Sequence, residues 1–144
     1  MSVPLKFIRP IDAVIAATSE NALLRNDIYD RPPVKRWSGE NVTLLGDAAH
    51  PMTPNLGQGA CQAIEDAVVL ADCLQKMLDL GAALREYELK RIARTSRLVE
   101  QSRQLGEMGQ WTNPLACRLR NTLVKHTPPA IAMKQMAALF RFQI

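Results

Sequence analysis

The run from Val42 to Leu74, VTLLGDAAHPMTPNLGQGACQAIEDAVVLADCL, constrains this chain more than any other part of it. Val42-Thr43-Leu44-Leu45 is a short apolar run ending in Gly46, a pattern that suits a strand buried on both faces, as in a parallel sheet. The thirteen residues from Asp47 to Gly59 include Pro51, Pro54 and Gly57, which favour a loop over a regular element. From Ala60 to Leu78 the period becomes helical. Ala60, Ala63, Ile64, Ala67, Val68, Ala71, Leu74 and Leu78 form an apolar stripe, with Gln62, Glu65, Asp72 and Lys76 off it.

A buried strand, a loop and a small-residue helix together make a device for holding anions. Ligands of open α/β sheets sit at the carboxyl ends of strands. Asp47 falls at that end, where a carboxylate can accept from a ribose hydroxyl. Gly57 and Gly59 let the backbone approach a ligand closely, since no Cβ intervenes. The free N–H groups of a helix starting near Gly59-Ala60 face such a ligand with partial positive charge. Gly57-Gln58-Gly59-Ala60-Cys61-Gln62 supplies only the first two glycines of GxGxxG, with Gln62 at the third. On that fragment alone, a loop with glycines for tight turns is the better reading.

Elsewhere the chain reads as mostly helical. Ile8, Ile11, Val14, Ile15 and Thr18 recur at helical spacing up to Ser19-Glu20-Asn21. Leu23 to Asp30 is ambiguous and slightly favours a strand, and Pro32-Pro33 breaks what precedes it. Gly81 is expected to stop the first long helix. A second runs from Ala82 to about Leu105 with Leu84, Tyr87, Arg91, Leu98, Ser102 and Leu105 on one side, ended by Gly106 and Gly109. Two shorter helices, about 115–125 and 130–140, follow Pro114 and Pro128-Pro129.

At 144 residues, with 47% hydrophobic and 22% charged residues, the chain reads as one globular domain rather than a disordered segment. No apolar run is long enough to span a bilayer, and the first ten residues lack the apolar core of a secretion signal; a cytoplasmic location is the expectation. Cys61, Cys73 and Cys117 form no CxxC pair, and with only His50 and His126 beside them no metal site is expected. Cys61, near a helix N-terminus, is read as a small apolar filler. Charge is uneven: net −3 to Gly81 and net +7 from Ala82 onward. Without interleaved aromatics the basic half reads as a solvated face rather than a nucleic-acid surface. A membrane-surface role for Ala130 to Phe140, with Lys134 and Arg141 beside Ile131, Leu139 and Phe140, ranks behind ordinary helix packing.

The whole run, with Gly46-Asp47, Ala48-Ala49-His50, Pro54, Gly57-Gln58-Gly59 and Glu65-Asp66-Ala67, resembles the second FAD-binding motif of the single-component FAD-dependent monooxygenases, the salicylate-hydroxylase-like and zeaxanthin-epoxidase-like aromatic hydroxylases. Asp27-Ile28-Tyr29-Asp30-Arg31, Trp37, Tyr87-Glu88, Arg91 and Arg94 extend the likeness on both sides. The resemblance implies FAD as cofactor, NAD(P)H as reductant and hydroxylation or epoxidation of an aromatic or other apolar organic substrate with O₂. It implies that Asp47 bonds the ribityl or ribose region near the pyrophosphate and that Pro54 lies beside the isoalloxazine. Gly57, Gln58, Gly59 and Ala60 would present N–H groups to the flavin pyrimidine end. His50 is expected to shape the turn, and Glu65 and Asp66 to anchor the helix; no residue is assigned a catalytic role.

The chain departs from the family pattern by lacking the N-terminal GxGxxG unit, the intermediate Asp-Gly motif and most of the substrate-binding sheet. The fold expected is therefore α/β: the C-terminal part of a Rossmann-like FAD-binding fold, mostly helical with one or two strands. It is expected as a single domain over 1–144, with the strand-loop-helix at 38–80 and a helical tail at 82–144. The isolated chain is expected to be inactive as a monooxygenase. A homo-oligomer or a separately made N-terminal portion would complete it. The alternative is a non-catalytic, truncated flavoprotein-like domain serving packing or oligomerisation.

Overall fold

The computed structural model of the chain describes residues 10–142. Five helices follow one another: α1 Ile11–Ala17, α2 Gly59–Lys76, α3 Leu80–Gly109, α4 Pro114–His126 and α5 Pro129–Phe140. Short 3-10 turns occupy Glu20–Ala22, Gly46–Ala48 and Pro54–Leu56. Ile8 of the first expected helix lies outside the described residues.

The scaffold is an antiparallel hairpin of α2 and α3, joined by Met77-Leu78-Asp79. The Asp79 side chain caps α3 by accepting from the Ala82 N–H at 2.7 Å, so the chain reverses before Gly81. Gly81 thus stops nothing: α2 has already ended at Lys76, and Gly81 sits in the first turn of α3. Likewise α3 runs through Gly106 to Gly109.

The face that α2 buries departs from the expected one. Gln62, Asp66, Val69 and Cys73 are buried against α3, while Ile64, Val68, Leu74 and Leu78 of the apolar stripe lie exposed. Helical period alone favours the apolar stripe, but a charged network described below holds the polar one inside. On α3 the buried row is Leu84, Tyr87, Arg91, Thr95, Leu98 and Ser102, close to the side expected, with Leu105 exposed.

Among the described residues there is no strand, which corrects the expectation of one or two. Val42–Leu45 contributes only an isolated antiparallel bridge between Ser38 and Thr43, and Val42 is exposed. A strand exists only through a neighbour that takes its backbone N–H and C=O groups. Here the segment bends back through Gly39 N–H to Val42 O at 2.8 Å and Leu44 N–H to Trp37 O at 3.2 Å. Leu23 to Asp30 also forms no strand.

Trp37, Ala49, Val69, Cys73, Ala83 and Tyr87 form the core, with Val34, Leu44, Leu70, Ile92 and Phe142 packed around it. Trp37 stacks at a tilt between His50 and Tyr87, with ring centroids 5.6 and 5.9 Å away. This cluster seats the base of the loop on the hairpin.

Candidate functional site

The loop from Gly46 to Gln58 is laid along the hairpin by polar groups of both helices. Gly46 has φ +58°, and a Cβ there would stand 3.2 Å from the Ala63 Cβ, so only glycine allows this approach to α2. Its N–H donates to Asp66 Oδ2 at 3.0 Å. His50 Nε2 meets the same oxygen at 2.6 Å, and Arg91 Nε donates to Asp66 Oδ1 at 2.6 Å. Asp66, fully buried on α2, thus joins the turn, the loop and α3 at one carboxylate. Burial alone would raise its pKa, but the bonds from His50, Arg91 and the Gly46 N–H outweigh that and hold it below the usual carboxylate range.

Arg91 is itself buried and uses its whole guanidinium: Nη1 to Glu65 Oε2 at 2.7 Å and Nη2 to Gln62 Oε1 at 2.8 Å. Arg94 forks onto Glu65 at 2.8 and 2.9 Å. Burial pushes the Glu65 carboxyl up, and the bonds from Arg94 and Arg91 more than reverse it. Glu65 and Asp66 therefore anchor helices rather than present free acids. Tyr87 donates to Leu44 O at 3.2 Å, and burial, aided by the nearby Asp66 charge, drives its hydroxyl far above the ordinary tyrosine range.

The outer half of the loop is held by the C-terminal part of α3. Ser102 Oγ donates to Thr53 O at 2.6 Å and accepts from Thr53 Oγ1 at 3.0 Å. Asn55 Nδ2 donates to Ser102 O at 3.1 Å and to Thr53 Oγ1 at 2.9 Å. Asn55 lies so close to Gly106 that a Cβ at 106 would fall 2.4 Å from its Nδ2. Pro54 opens the turn that follows, and Gly57 closes it at φ +63° with open space around it.

These constraints leave Asp47 exposed in the Gly46–Ala48 turn and bring its Oδ1 to 4.0 Å of the Cβ direction of Gly59. Gly59 is the first residue of α2, and no side chain caps that N-terminus. Its leading N–H groups therefore have no partner within the helix. Asp47, Gly59 and Ala60 are thus brought to one end of α2, with Gly57 preceding it. Gln58 is different: its side chain is buried and bonded to Gln62 at 3.4 Å, leaving only its backbone on the loop path. Pro54 is exposed, beside the buried Ser102 end of the loop. Cys61, in the first turn of α2, is exposed and fills no gap; Cys73 is the buried thiol, and burial raises its pKa.

Asp30, Arg31 and Glu88 enter the sequence reading only as part of the likeness, with no contact assigned to them. Arg31 donates through Nη2 to the carbonyls of Ala48 and Ala49, gripping the turn that carries Asp47. Asp30 pairs with Arg103 at 2.9 Å. Glu88 accepts from the Trp37 and Ser38 N–H groups at 2.8 and 2.7 Å. All are ion pairs or side chain to backbone bonds spanning tens of residues, a separation that periodicity does not encode.

A family model described as FAD binding domain matches residues 30–102. The chain belongs to that FAD binding domain family. FAD is the family's cofactor, and the matched span contains the loop, both anchoring carboxylates and most of the α2–α3 hairpin. Aurachin C monooxygenase/isomerase of Stigmatella aurantiaca is 49% identical over 116 residues, 81% of this chain and 30% of that protein. The chloroplastic zeaxanthin epoxidase of Oryza sativa subsp. japonica is 50% identical over 93 residues, 58% of this chain and 14% of that protein. HpxO of Klebsiella pneumoniae, solved with FAD and uric acid, superposes with a TM-score of 0.83 at 32% identity, covering 92% of this chain and 34% of that one. The chain thus spans about a third or less of the length of these relatives. Among the described residues no group of histidines, cysteines and carboxylates has metal-site geometry, and no helix is long and apolar enough to cross a membrane.

Proposed function

We propose that this chain is the C-terminal FAD-binding segment of a flavin-dependent monooxygenase that hydroxylates or epoxidises an aromatic or other apolar organic substrate with O₂ and NAD(P)H. In this reading it forms one domain over 1–144: the C-terminal part of a Rossmann-like fold, with the loop and α2 at 38–80 and a helical tail at 82–144. The observation that carries the proposal is the uncapped N-terminus of α2 with the exposed Asp47 carboxylate beside Gly59. These residues suit a group that offers both a hydroxyl and an anionic edge.

Asp47 accepts from a ribityl or ribose hydroxyl near the pyrophosphate. Of the N–H groups expected at the pyrimidine edge of the flavin, that of Gly57 is taken by Pro54 O at 2.9 Å, and Gly57 serves the turn instead. The N–H groups of Gln58, Gly59 and Ala60 face that edge. They favour negative charge there, because a helix N-terminus carries roughly half a positive charge. Pro54 shapes the loop beside the isoalloxazine. Asp66, Arg91 and Arg31 set the position of that loop. Bound FAD supplies the redox and oxygen chemistry. No side chain of the loop is placed for general acid–base work, so the chain's part is binding, orientation and electrostatics.

The relatives named above are much longer, and completion of the site by a separately made N-terminal portion or a second copy belongs to the same proposal. The exposed Ile64, Val68 and Leu74 on α2 support such packing. By itself the chain is expected to be inactive as a monooxygenase.

The test is a titration of the purified chain with FAD, read by flavin fluorescence and visible absorption. Saturable binding is expected, weakened by about ten- to a hundredfold in Asp47→Ala, as for loss of a charged hydrogen-bond acceptor. Absence of saturation, or an Asp47→Ala variant that binds equally well, would overturn the assignment.

A further inference from the structure

Arg91 and Arg94 anchor the loop through two carboxylates, and both guanidiniums also meet a ring from far along the chain. The Phe142 centroid lies 5.4 Å from the Arg91 guanidinium carbon and 5.9 Å from that of Arg94. The in-plane N–H groups of Arg91 are engaged by Asp66, Glu65 and Gln62, so its flat face is what remains for a further partner. An aromatic ring, negative over its face, suits that position. It also stands against two cations held one helical turn apart, whose repulsion it offsets. Phe142 is half-buried and packs against the core.

The backbone is fastened at the same place. Arg94 Nη2, besides its bond to Glu65, donates to Leu139 O at 3.1 Å. That carbonyl belongs to the last turn of α5, where carbonyls lack a partner within the helix. Elsewhere α5 is held less closely. Ile131, Met133, Met136 and Phe140 are exposed. An open cavity of about 640 Å³, lined by Leu98, Met108, Met136 and Leu139 among others, lies between α5 and α3. The hold of α5 on α3 is therefore concentrated between Leu139 and Phe142.

We propose that Phe142 is a positioning residue for the Gly46–Gln58 loop, acting through Arg91 and Arg94. The line of contact is continuous. The ring lies on the Arg91 guanidinium, and Arg91 Nε holds Asp66 Oδ1. Asp66 Oδ2 in turn holds the Gly46 N–H and His50, at the base of the turn that carries Asp47. By covering the guanidiniums, the ring keeps water from competing for their bonds to Asp66 and Glu65 and fixes Arg91 in the plane those bonds require. The consequence for FAD rests on the cofactor reading proposed above; the hold on Gly46 does not.

The experiment compares Phe142→Leu, Phe142→Tyr and Phe140→Leu in the full chain. Leucine keeps apolar bulk and removes the aromatic face, tyrosine keeps both, and Phe140 is an exposed neighbour outside the contact. The first readout needs no ligand: amide exchange of Gly46, whose N–H ends on the buried Asp66. In Phe142→Leu it should quicken by about fivefold, matching loss of a well-placed cation–π contact, while Val69 and Tyr87 keep their rates. Phe142→Tyr should restore protection to within about twofold, and Phe140→Leu should leave it unchanged. The second readout is FAD titration, in which Phe142→Leu should bind about three- to tenfold more weakly and Phe142→Tyr as the parent chain does. Unchanged Gly46 exchange in Phe142→Leu, equal acceleration at Val69 and Tyr87, or no rescue by tyrosine would overturn the proposal. So would FAD bound equally tightly by Phe142→Leu and the parent chain. A Gly46 response as expected in a chain that binds no FAD would sink the cofactor assignment and leave the role of Phe142 standing.

Discussion

Asp66 accepts three hydrogen bonds from two separate stretches of chain, the Gly46–His50 end of the loop and α3, with no solvent contact. Removing one partner of a buried pair strands the other, so Asp66→Ala should cost about 3–5 kcal/mol in urea unfolding. Asp66 and Glu65 are both held below their ordinary pKa values. Their contribution is complete above the unfolded-state value of about 4 and drains as pH falls through the depressed one. Urea midpoints measured downward from about pH 5 should therefore decline steadily, and Glu65→Gln should flatten that decline. Gly57 offers a contrasting case. A side chain there meets nothing, yet φ is +63°, so Gly57→Ala should cost about 1–2 kcal/mol from backbone strain alone.

At the scale of elements, the loop is registered on α3 through Thr53, Asn55 and Ser102. Gly106 is the glycine that lets Asn55 lie there. Gly106→Ala improves helix propensity by about 1 kcal/mol while displacing the Asn55 amide. Thermal unfolding should therefore change by less than about 1 kcal/mol. FAD titration should nonetheless weaken, if the loop carries the cofactor as proposed. The helices were legible in the sequence because Pro114, Pro128-Pro129 and the apolar periods mark them locally, whereas the Asp79 cap that starts α3 before Gly81 was missed. The buried face of α2 was not, because Gln62 and Asp66 are inside only on account of Arg91, over twenty residues away. Val42–Leu45 failed as a strand for a related reason: an apolar run specifies burial, and a strand also requires a pairing neighbour. The loop between Gly46 and a helix beginning near Gly59 was legible from its prolines and glycines. The bonds of Arg31 and Ser102 to the loop, and of Glu88 to Trp37 and Ser38, carry no local signal.

For the whole molecule, the exposed apolar surface is large for a chain of this size. Ile64 and Val68 on α2 are 66 and 42% exposed. Replacing both with lysine should leave the unfolding midpoint within about 0.5 kcal/mol, since solvent-facing substitutions away from special features cost little. Self-association, followed by light scattering, should fall in the same variant. A loss of stability would instead mean that this stripe is covered in the folded chain.

The short connection between α2 and α3 also orders events in time. Residues brought together across three intervening positions close a small loop, and small loops close early. The hairpin should therefore be the first unit to acquire protection in pulse-labelled amide exchange, with Val69, Cys73, Tyr87 and Leu98 slowest to trade their protons. The stretch from Gly46 to Gln58 would settle afterwards onto a surface that already exists. On the ribosome the order of synthesis is the reverse: the loop emerges before either helix and has no seat until Ser102 of α3 has followed it.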